Sequence, residues 1–361
     1  MPWQVPGANT EQPSRRPQCL RVENSILDKS GGMNMSDIRK IPLKEIDPLD
    51  ETFSVNFMAD LERLRSSIEK VGLIQPVLVR EKHSRYQIVC GFRRVSVCQG
   101  LGWDEMEARV IHQTEDDLSL FSMSLHDNLT TRGFNSVEVA IALDRLVHHF
   151  QMDPPVVIGT FLPLLSLETS EKILNTYLSL VSMEDEMKRY IVQEEVSRSN
   201  IRRLASMTSE DRIATLSLLS ALKLGENRLR EVLTLLEETA QRDHRTVREM
   251  IALREIQIVL GHQDLTPSQR TEKVKKVLLN LRYPRLHQLQ ETFETKRKEL
   301  NLPAGLSLQH LAFFEAKGMK IELEFETLQE YQSLVSSLSL LQEKEEFQEM
   351  LRSKHQVPNT K

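Results

Sequence analysis

"YQIVCGFRRVSVCQGLGW", residues 86–103, is the stretch on which the reading of this chain turns. Residues 86 to 90 suit a buried strand, Gly91 breaks the extension, and Phe92 onward runs with a helical period that stops at Gly100 or Gly102. Two adjacent arginines, Arg93 and Arg94, fall at the strand-to-helix junction. Glycine lets backbone amides approach a ligand closely, a helix start favours an anion, and guanidinium groups offer paired donors to phosphate oxygens. The spacing therefore suits a phosphate-binding turn. A plainer reading makes Gly91 a turn residue and pairs the arginines with surface acids.

Upstream of this stretch, "DLERLRSSIEKVG" (60–72) sets Leu61, Leu64, Ile68 and Val71 on one helical stripe closed by Gly72. "LIQPVLVR" (73–80) and "RYQIVCG" (85–91), separated by the polar "EKHS", read as paired strands. Downstream, "MEARVIH" (106–112) predicts another strand. "EDDLSLFSMSLHDNL" (115–129) predicts a helix with Leu118, Phe121 and Leu125 on one face. Residues 38–134 thus form an α+β domain. Before them, residues 1–37 hold Pro2, Pro6, Pro13, Pro17 and Gly31-Gly32 with almost no hydrophobic period, the composition of a disordered extension, which makes Met33 or Met35 a candidate start. After them, residues 135–255 and a connector at 256–300 carry helical periods throughout. "LSLQHLAFFEAKGMKIELEFE" (306–326) alternates in two arms about Lys317-Gly318, with Phe313, Met319, Ile321, Leu323 and Phe325 on an apolar face. "TLQEYQSLVSSLSLLQ" (327–342) then offers Leu328, Tyr331, Leu334, Val335 and Leu338 as cover, so residues 301–361 read as a small β-β-α module.

A chain of 361 residues with 40% hydrophobic content is long enough for two or three domains, each with its own core. The formal charge of −5 argues against a non-specific polycation and leaves room for a local basic face. The longest nearly uncharged apolar run, 154–167, falls short of the ~20 residues of a membrane helix. The start lacks the pattern of a secretory signal, so Cys19, Cys90 and Cys98 are expected in a reducing cytoplasm, and their spacing is not that of a metal site.

A second element is "LHDNLTTRGFNSVEVA" (125–140), where Asp127 and Asn128 end a helix shortly before Arg132. Adjacent carboxylate and amide oxygens suit a hard cation such as Mg²⁺, which takes few protein ligands and completes its shell with water and phosphate oxygens. The competing reading has the pair simply terminating one helix while Asn135 or Ser136 caps the next, with Glu138 in its first turn.

"GLIQPVLVR", "VCGFRR" and "DNLTTRGFNSVEVA" together resemble the successive boxes of the ParB chromosome- and plasmid-partition family, in order and in spacing. The resemblance is specific over about residues 38–150. It implies a ParB/sulfiredoxin-like N-terminal domain that binds CTP and Mg²⁺, a central helix-turn-helix region that reads DNA, and a C-terminal module that makes a homodimer. It also implies a ParA-type ATPase as a possible partner and a nucleoid-associated place in the cytoplasm. Carried over, Gly91, Arg93, Arg94 and Arg132 are expected to bind the nucleotide, and Asp127 and Asn128 the metal. Phe92 stands where the family has an acid, and Thr131 where it has an arginine, with Arg132 one residue later. The missing carboxylate at position 92 leads us to expect nucleotide binding more than turnover.

In the central region "SVEVAIALDRLVHHF", "PVVIGTFLPLLSL" and "TSEKILNTYLSLV" read as three helices, the third a recognition helix. Lys172, Asn175 and Thr176 are placed to reach base edges, while Glu168 and Glu171 have the wrong sign for phosphates. Arg198, Arg202 and Arg203 in "VSRSNIRRLASM" fall at helical spacing as a second, phosphate-gripping group. A helical bundle without tight operator binding, its arginines merely solvated, is the rival reading. "LGENRLREVLTLLEETAQRDHRTVREM" (224–250) predicts one long amphipathic helix. Two other functions compete with a DNA binder: a nucleotide-using enzyme on the same fold, such as a free-serine-kinase-like phosphotransferase, and an adaptor that binds neither ligand. Cys90 precedes the glycine instead of lying inside the turn, so a sulfiredoxin-like redox chemistry fits poorly.

Overall fold

Along β5 (Glu105–Ile111), Met106, Ala108 and Val110 are buried while Glu105 and Glu107 face solvent, the period-two pattern of a half-covered strand. In the computed structural model, which describes residues 38–111, 116–310 and 319–353, this strand pairs antiparallel with β1 (Ile38–Pro42) and parallel with β3 (Val77–Lys82). β4 (Arg85–Cys90) and the short β2 (Ile46–Asp47) complete a five-stranded sheet in the order β1-β5-β3-β4-β2. The β3–β4 hairpin closes through His83 and Ser84 with φ of 47° and 66°, the left-handed pair that a two-residue turn requires. The proposed extension 1–37, with its candidate starts Met33 and Met35, together with Cys19, Phe313 and the Lys317-Gly318 turn, lies outside the described residues.

Ile41, Val77, Val79, Ile88, Val95 and Cys98 form the centre of the core between the sheet and the helices α1 (Glu62–Val71) and α2 (Phe92–Gly100). Ile68 of α1 is buried and Leu61 and Leu64 pack beside it, but Val71 is 63% exposed. The predicted stripe thus ends a turn early, because the last turn of α1 overhangs the core before Gly72, φ 76°, redirects the chain. In α3 (Asp117–Thr131), capped by Asp116, the buried residues are Leu120, Phe121, Ser124 and Leu125, with Leu118 at the margin.

α4 (Ser136–Asp144) starts on a capping box between Asn135 and Glu138 and runs on through a wider turn in which Phe150 N–H donates to the Arg145 carbonyl. The segments Pro154–Val156, Val157–Phe161 and Leu162–Leu164 continue as one helix, α5. α6 (Glu171–Val181) and α7 (Asp185–Gln193) pack on α4, and α8 (Arg198–Ser206) packs on α6. The chain divides into two units, Met1–Leu216 and Ser217–Lys361, and α9 (Ser209–Ser220) spans the division. No helix of the described residues is long and apolar enough to cross a membrane.

The second unit contains α10 (Glu226–Arg242), α11 (Val247–Ile251), α12 (Arg254–Gly261), α13 (Pro267–Arg282) and α14 (Pro284–Glu299). The single helix expected over 224–250 is therefore two. It breaks at Asp243–Arg245, where His244 takes φ 53° and a Thr246–Glu249 capping box starts α11 afresh. β6 (Leu306–His310) and β7 (Met319–Leu323) pair antiparallel with Leu308 opposite Ile321, followed by α15 (Leu328–Leu341) and a further α16 (Glu345–Ser353). Leu334 is buried and Leu338 packs on the core as expected, joined by Leu341, whereas Leu328, Tyr331 and Val335 are exposed, so only part of the expected face gives the cover. Leu308 joins a cluster with Leu341 and Met350 that also takes in Phe293 and Leu300, so the β-β-α module shares its core with α14.

Candidate functional site

Gly91 takes φ 99°, and a Cβ there would stand 2.8 Å from Val77 Cγ1 and 3.1 Å from Arg94 Nε, so the turn from β4 into α2 admits only glycine without strain. No side chain caps α2, whose first amides, those of Phe92, Arg93 and Arg94, are left without intrahelical acceptors. Phe92 itself packs against the core.

The two arginines separate. Arg94 turns back under the loop, donating from Nη1 to the carbonyls of Gln75 and Pro76 at 3.0 Å each and from Nη2 to Asp127 Oδ2 at 3.4 Å. Arg93 reaches across to Asn56 Oδ1 (2.9 Å from Nε) and to Glu138 Oε1 (2.8 Å from Nη2). Arg132 comes to the same place from the end of α3. Its Nη1 donates to Glu138 Oε2 at 2.7 Å, its Nε to Asn128 Oδ1 at 3.0 Å, and its Nη2 to Asn56 Oδ1 at 3.3 Å. Thr131, where the resemblance leads one to expect an arginine, spends its hydroxyl on the Asp127 carbonyl, 2.8 Å away. Arg132 caps the end of the helix, and Gly133, φ 72°, follows it and redirects the chain.

These groups line one cleft of about 310 Å³ that holds Gly91, Arg93, Arg94, Asp127, Asn128 and Arg132, with Arg63 and Asp60 at its edge. Every residue expected at the phosphate and metal positions is thus in one place. Burial and the neighbouring Arg132 both push the Arg93 guanidinium below its usual range, while Glu138 opposes them. Of the expected metal pair, Asp127 presents a partly exposed carboxylate paired with Arg94. The Asn128 amide is already engaged at both ends, its Nδ2 donating to the Ser124 carbonyl at 2.8 Å. Among the described residues no group of three or more His, Cys, Asp or Glu side chains could hold an ion.

Two residues essential to this geometry escape a reading of motifs. Glu138, 1% exposed, is legible from sequence as a capping residue in "NSVE" but not as the carboxylate on which two arginines converge. Asn56 lies in the irregular stretch 53–57, which carries no periodic signal. That stretch is held by Ser124 Oγ on the Phe53 carbonyl (3.1 Å), by Glu138 on Phe57 N–H (3.3 Å) and by Asn135 Nδ2 on the Phe57 carbonyl (3.1 Å). Just before it, Arg145 donates to the Glu51 and Thr52 carbonyls. A third unread feature lies behind the sheet, where Arg80 meets Gln87 (2.6 Å) and Asp117 (2.6 Å) over the Phe53 ring, and Gln87 bonds Asp50, which Lys82 also pairs at 2.9 Å. Burial works to raise the Asp50 carboxyl, but hydrogen bonds from Thr52, Gln87 and Lys82 outweigh it and hold the group well below its ordinary range.

The expected DNA-contacting groups also converge. Lys172 and Thr176 of α6 and Arg198 and Arg202 of α8 line one shallow depression, and Asn175 lines an adjoining one with Arg202. Arg203 is half-buried and lines neither. Glu168 lines the first depression and Glu171 the second. Thr176 has turned its hydroxyl to the Lys172 carbonyl at 2.8 Å.

Residues 28–129 match the family model of the ParB N-terminal domain. The nucleoid occlusion protein of Halalkalibacterium halodurans is 26% identical over 177 residues, 48% of this chain and 59% of that protein. A stretch of 92 residues is 40% identical to the probable chromosome-partitioning protein ParB of Coxiella burnetii, covering 26% of this chain and 31% of that protein. The chain therefore spans less than two thirds of the curated relatives it matches. A solved structure, the C-terminally truncated ParB from Caulobacter crescentus complexed with CTP-gamma-S, is 22% identical and covers 50% of this chain and 98% of that one, with a TM-score of 0.24.

Proposed function

Residues 28–129 match the ParB N-terminal domain, and from that premise we propose that the chain is a divergent ParB-like DNA-binding protein responsive to CTP and Mg²⁺, acting in chromosome or plasmid partitioning or in related transcriptional regulation. The observation that carries this reading is the meeting of the Gly91 turn, Arg93, Arg94 and Arg132 with Asp127 in one cleft. Backbone amides at the start of α2 and the guanidiniums supply donors to phosphate oxygens. Mg²⁺ fits as an ion that enters with the phosphates, because the cleft offers it the Asp127 carboxylate among several cations. Asn128 would join only by releasing Arg132. When bound, the ion would be held by Asp127 and would neutralise phosphate charge.

On the DNA side, the α6 and α8 cations grip phosphates, and Asn175 on the exposed face of α6 offers an amide for a base edge. The 301–361 module is the proposed homodimer contact, and a ParA-type ATPase and a nucleoid-associated place in the cytoplasm belong to the same reading. The rival, a nucleotide-using enzyme, gains nothing from the cysteine next to the turn: burial, with Asp127 nearby, pushes the Cys90 thiol up to about 12, where it is no nucleophile.

Titrating the purified chain with CTP, ATP, GTP and UTP, each with and without Mg²⁺, tests the nucleotide half; a clear preference for Mg-CTP is expected, and equal binding of all four defeats it. Gel shifts against genomic fragments at several salt concentrations test the DNA half. Light scattering of the full chain at micromolar concentration tests the dimer, which a monomeric mass would refute.

A further inference from the structure

The carboxylate of Glu138 belongs to α4, not to the cleft that its partners line. Each of its oxygens takes two donors: Oε1 accepts from Arg93 Nη2 (2.8 Å) and Phe57 N–H (3.3 Å), and Oε2 from Arg132 Nη1 (2.7 Å) and Asn135 N–H (3.2 Å). Four elements are thereby tied to one buried charge: the start of α2, the end of α3, the strap 53–57 and the first turn of α4. Asn56 Oδ1 repeats the pattern on the other side by accepting from both Arg93 and Arg132. Two like charges sit side by side and share this carboxylate and one amide oxygen, with Asp60 a further acid that acts on Arg93.

The donors divide unequally. Arg132 commits Nε, Nη1 and Nη2 to Asn128, Gly133, Glu138 and Asn56. Arg93 commits Nε and Nη2 and keeps the two N–H groups of Nη1 without an acceptor among the described residues. Arg93 thus faces a ligand with one edge and Glu138 with the other, while Arg132 serves to hold the frame.

We propose that Glu138 is the positioning residue of the cleft and the connection through which its occupancy is passed to α4, the helix on which α6 and α7 pack. A phosphate group bound at Arg93 competes with the carboxylate for the same guanidinium charge. Any weakening of that bond loosens Glu138, and with it the Asn135 amide that starts α4 and the Phe57 amide of the strap. The proposal rests on the reading of the cleft as a phosphate site, and it adds the route by which binding is felt at the helical segment.

Hydrogen exchange of the full chain with and without Mg-CTP tests it, alongside calorimetric affinity. Addition of Mg-CTP to the wild-type chain should change exchange at residues 136–140 by about fivefold or more, the lower end of ordinary coupling between sites. In Glu138→Gln, which keeps one acceptor oxygen but turns an NH₂ toward donors, Mg-CTP should still bind through Arg94 and the α2 amides, yet leave exchange at 136–140 unchanged. Glu138→Asp, which keeps the charge, should restore part of the response. A Gln variant that responds like the wild type overturns the proposal, as does a wild-type chain that binds Mg-CTP with no change in α4. Absence of binding by the wild-type chain defeats the phosphate reading itself and this proposal with it, and calorimetry separates that case from the others. Should Glu138→Gln fail to fold, Glu138→Asp carries the comparison: its shorter carboxylate cannot hold both arginines and both amides, so a reduced response at 136–140 is expected and a response equal to wild type overturns the proposal.

Discussion

Arg94, in the turn after β4, donates from Nη2 to Asp127 at the end of α3, 3.4 Å away, so the two sequence elements with phosphate and metal chemistry are in direct contact. The pair explains why a single cleft holds both. It also sets how each residue responds to replacement, because Arg94 is braced by two carbonyls, while the Asp127 carboxylate pairs, among the described residues, with that guanidinium.

Arg93→Ala and Arg94→Ala should each weaken Mg-CTP binding by about 1.5–3 kcal/mol, the scale of a lost charge-assisted hydrogen bond. Asp127→Ala should remove the Mg²⁺ dependence while the melting temperature stays put. Isothermal titration with and without EDTA measures both; indifference of affinity to either arginine removes the basis for the cleft.

Gly91→Ala is expected to cost about 1–3 kcal/mol of stability, since it combines a left-handed φ with a contact of 2.8 Å to Val77. Gly100→Ala, where a Cβ meets nothing within 4 Å and the backbone is helical, should be neutral or stabilise by about 0.5–1 kcal/mol. Urea denaturation of the two variants gives the contrast, and equal effects would show the turn to be unstrained.

Glu184, which precedes α7, accepts from Arg212 Nε at 3.0 Å and from Ser209 at 2.6 Å, and the Arg212 bond leads in holding its carboxyl down to about 2. Its folded value lies below the ordinary 4.5, so its contribution is fully present above that pH and is lost as pH falls from 4.5 through about 2. Glu184→Gln should flatten the acid limb of a stability-against-pH curve and leave the neutral region parallel to wild type. An unchanged acid limb would mean that other carboxylates carry it.

Lys172→Ala and Arg202→Ala should each weaken DNA binding across all sequences and reduce the slope of log affinity against log salt by about 0.9, as the loss of one phosphate contact does. Fluorescence anisotropy from low to physiological salt reads the slope. Asn175→Ala should instead leave the slope alone and relax discrimination between sites. A slope insensitive to both cation losses assigns these side chains to solvation.

What the sequence determined by itself was set by local rules. Period-two and helical patterns mark β3, β4, α2 and α3 because a half-buried strand and an amphipathic helix each bury a fixed face. Gly91 and Gly72 are legible because only glycine takes a left-handed φ at no cost, and Arg93, Arg94, Asp127 and Asn128 stand out because their chemistry is dense at short spacing. Where burial depends on what lies across the chain, local rules fail: Val71 continues a helical stripe yet overhangs the core, and α15 buries Leu334 and Leu341 while leaving Leu328 and Tyr331 exposed. The tertiary structure alone decided that Glu138, a capping residue by sequence, is the carboxylate shared by Arg93 and Arg132, residues 45 and 6 positions away. It likewise decided that Asn56 joins them and that the buried Arg80 and Gln87 form a chain with the half-buried Asp50. A buried charge is stable only when its partners arrive from elements distant in sequence, and that meeting is a property of the fold, with no period in the sequence to announce it.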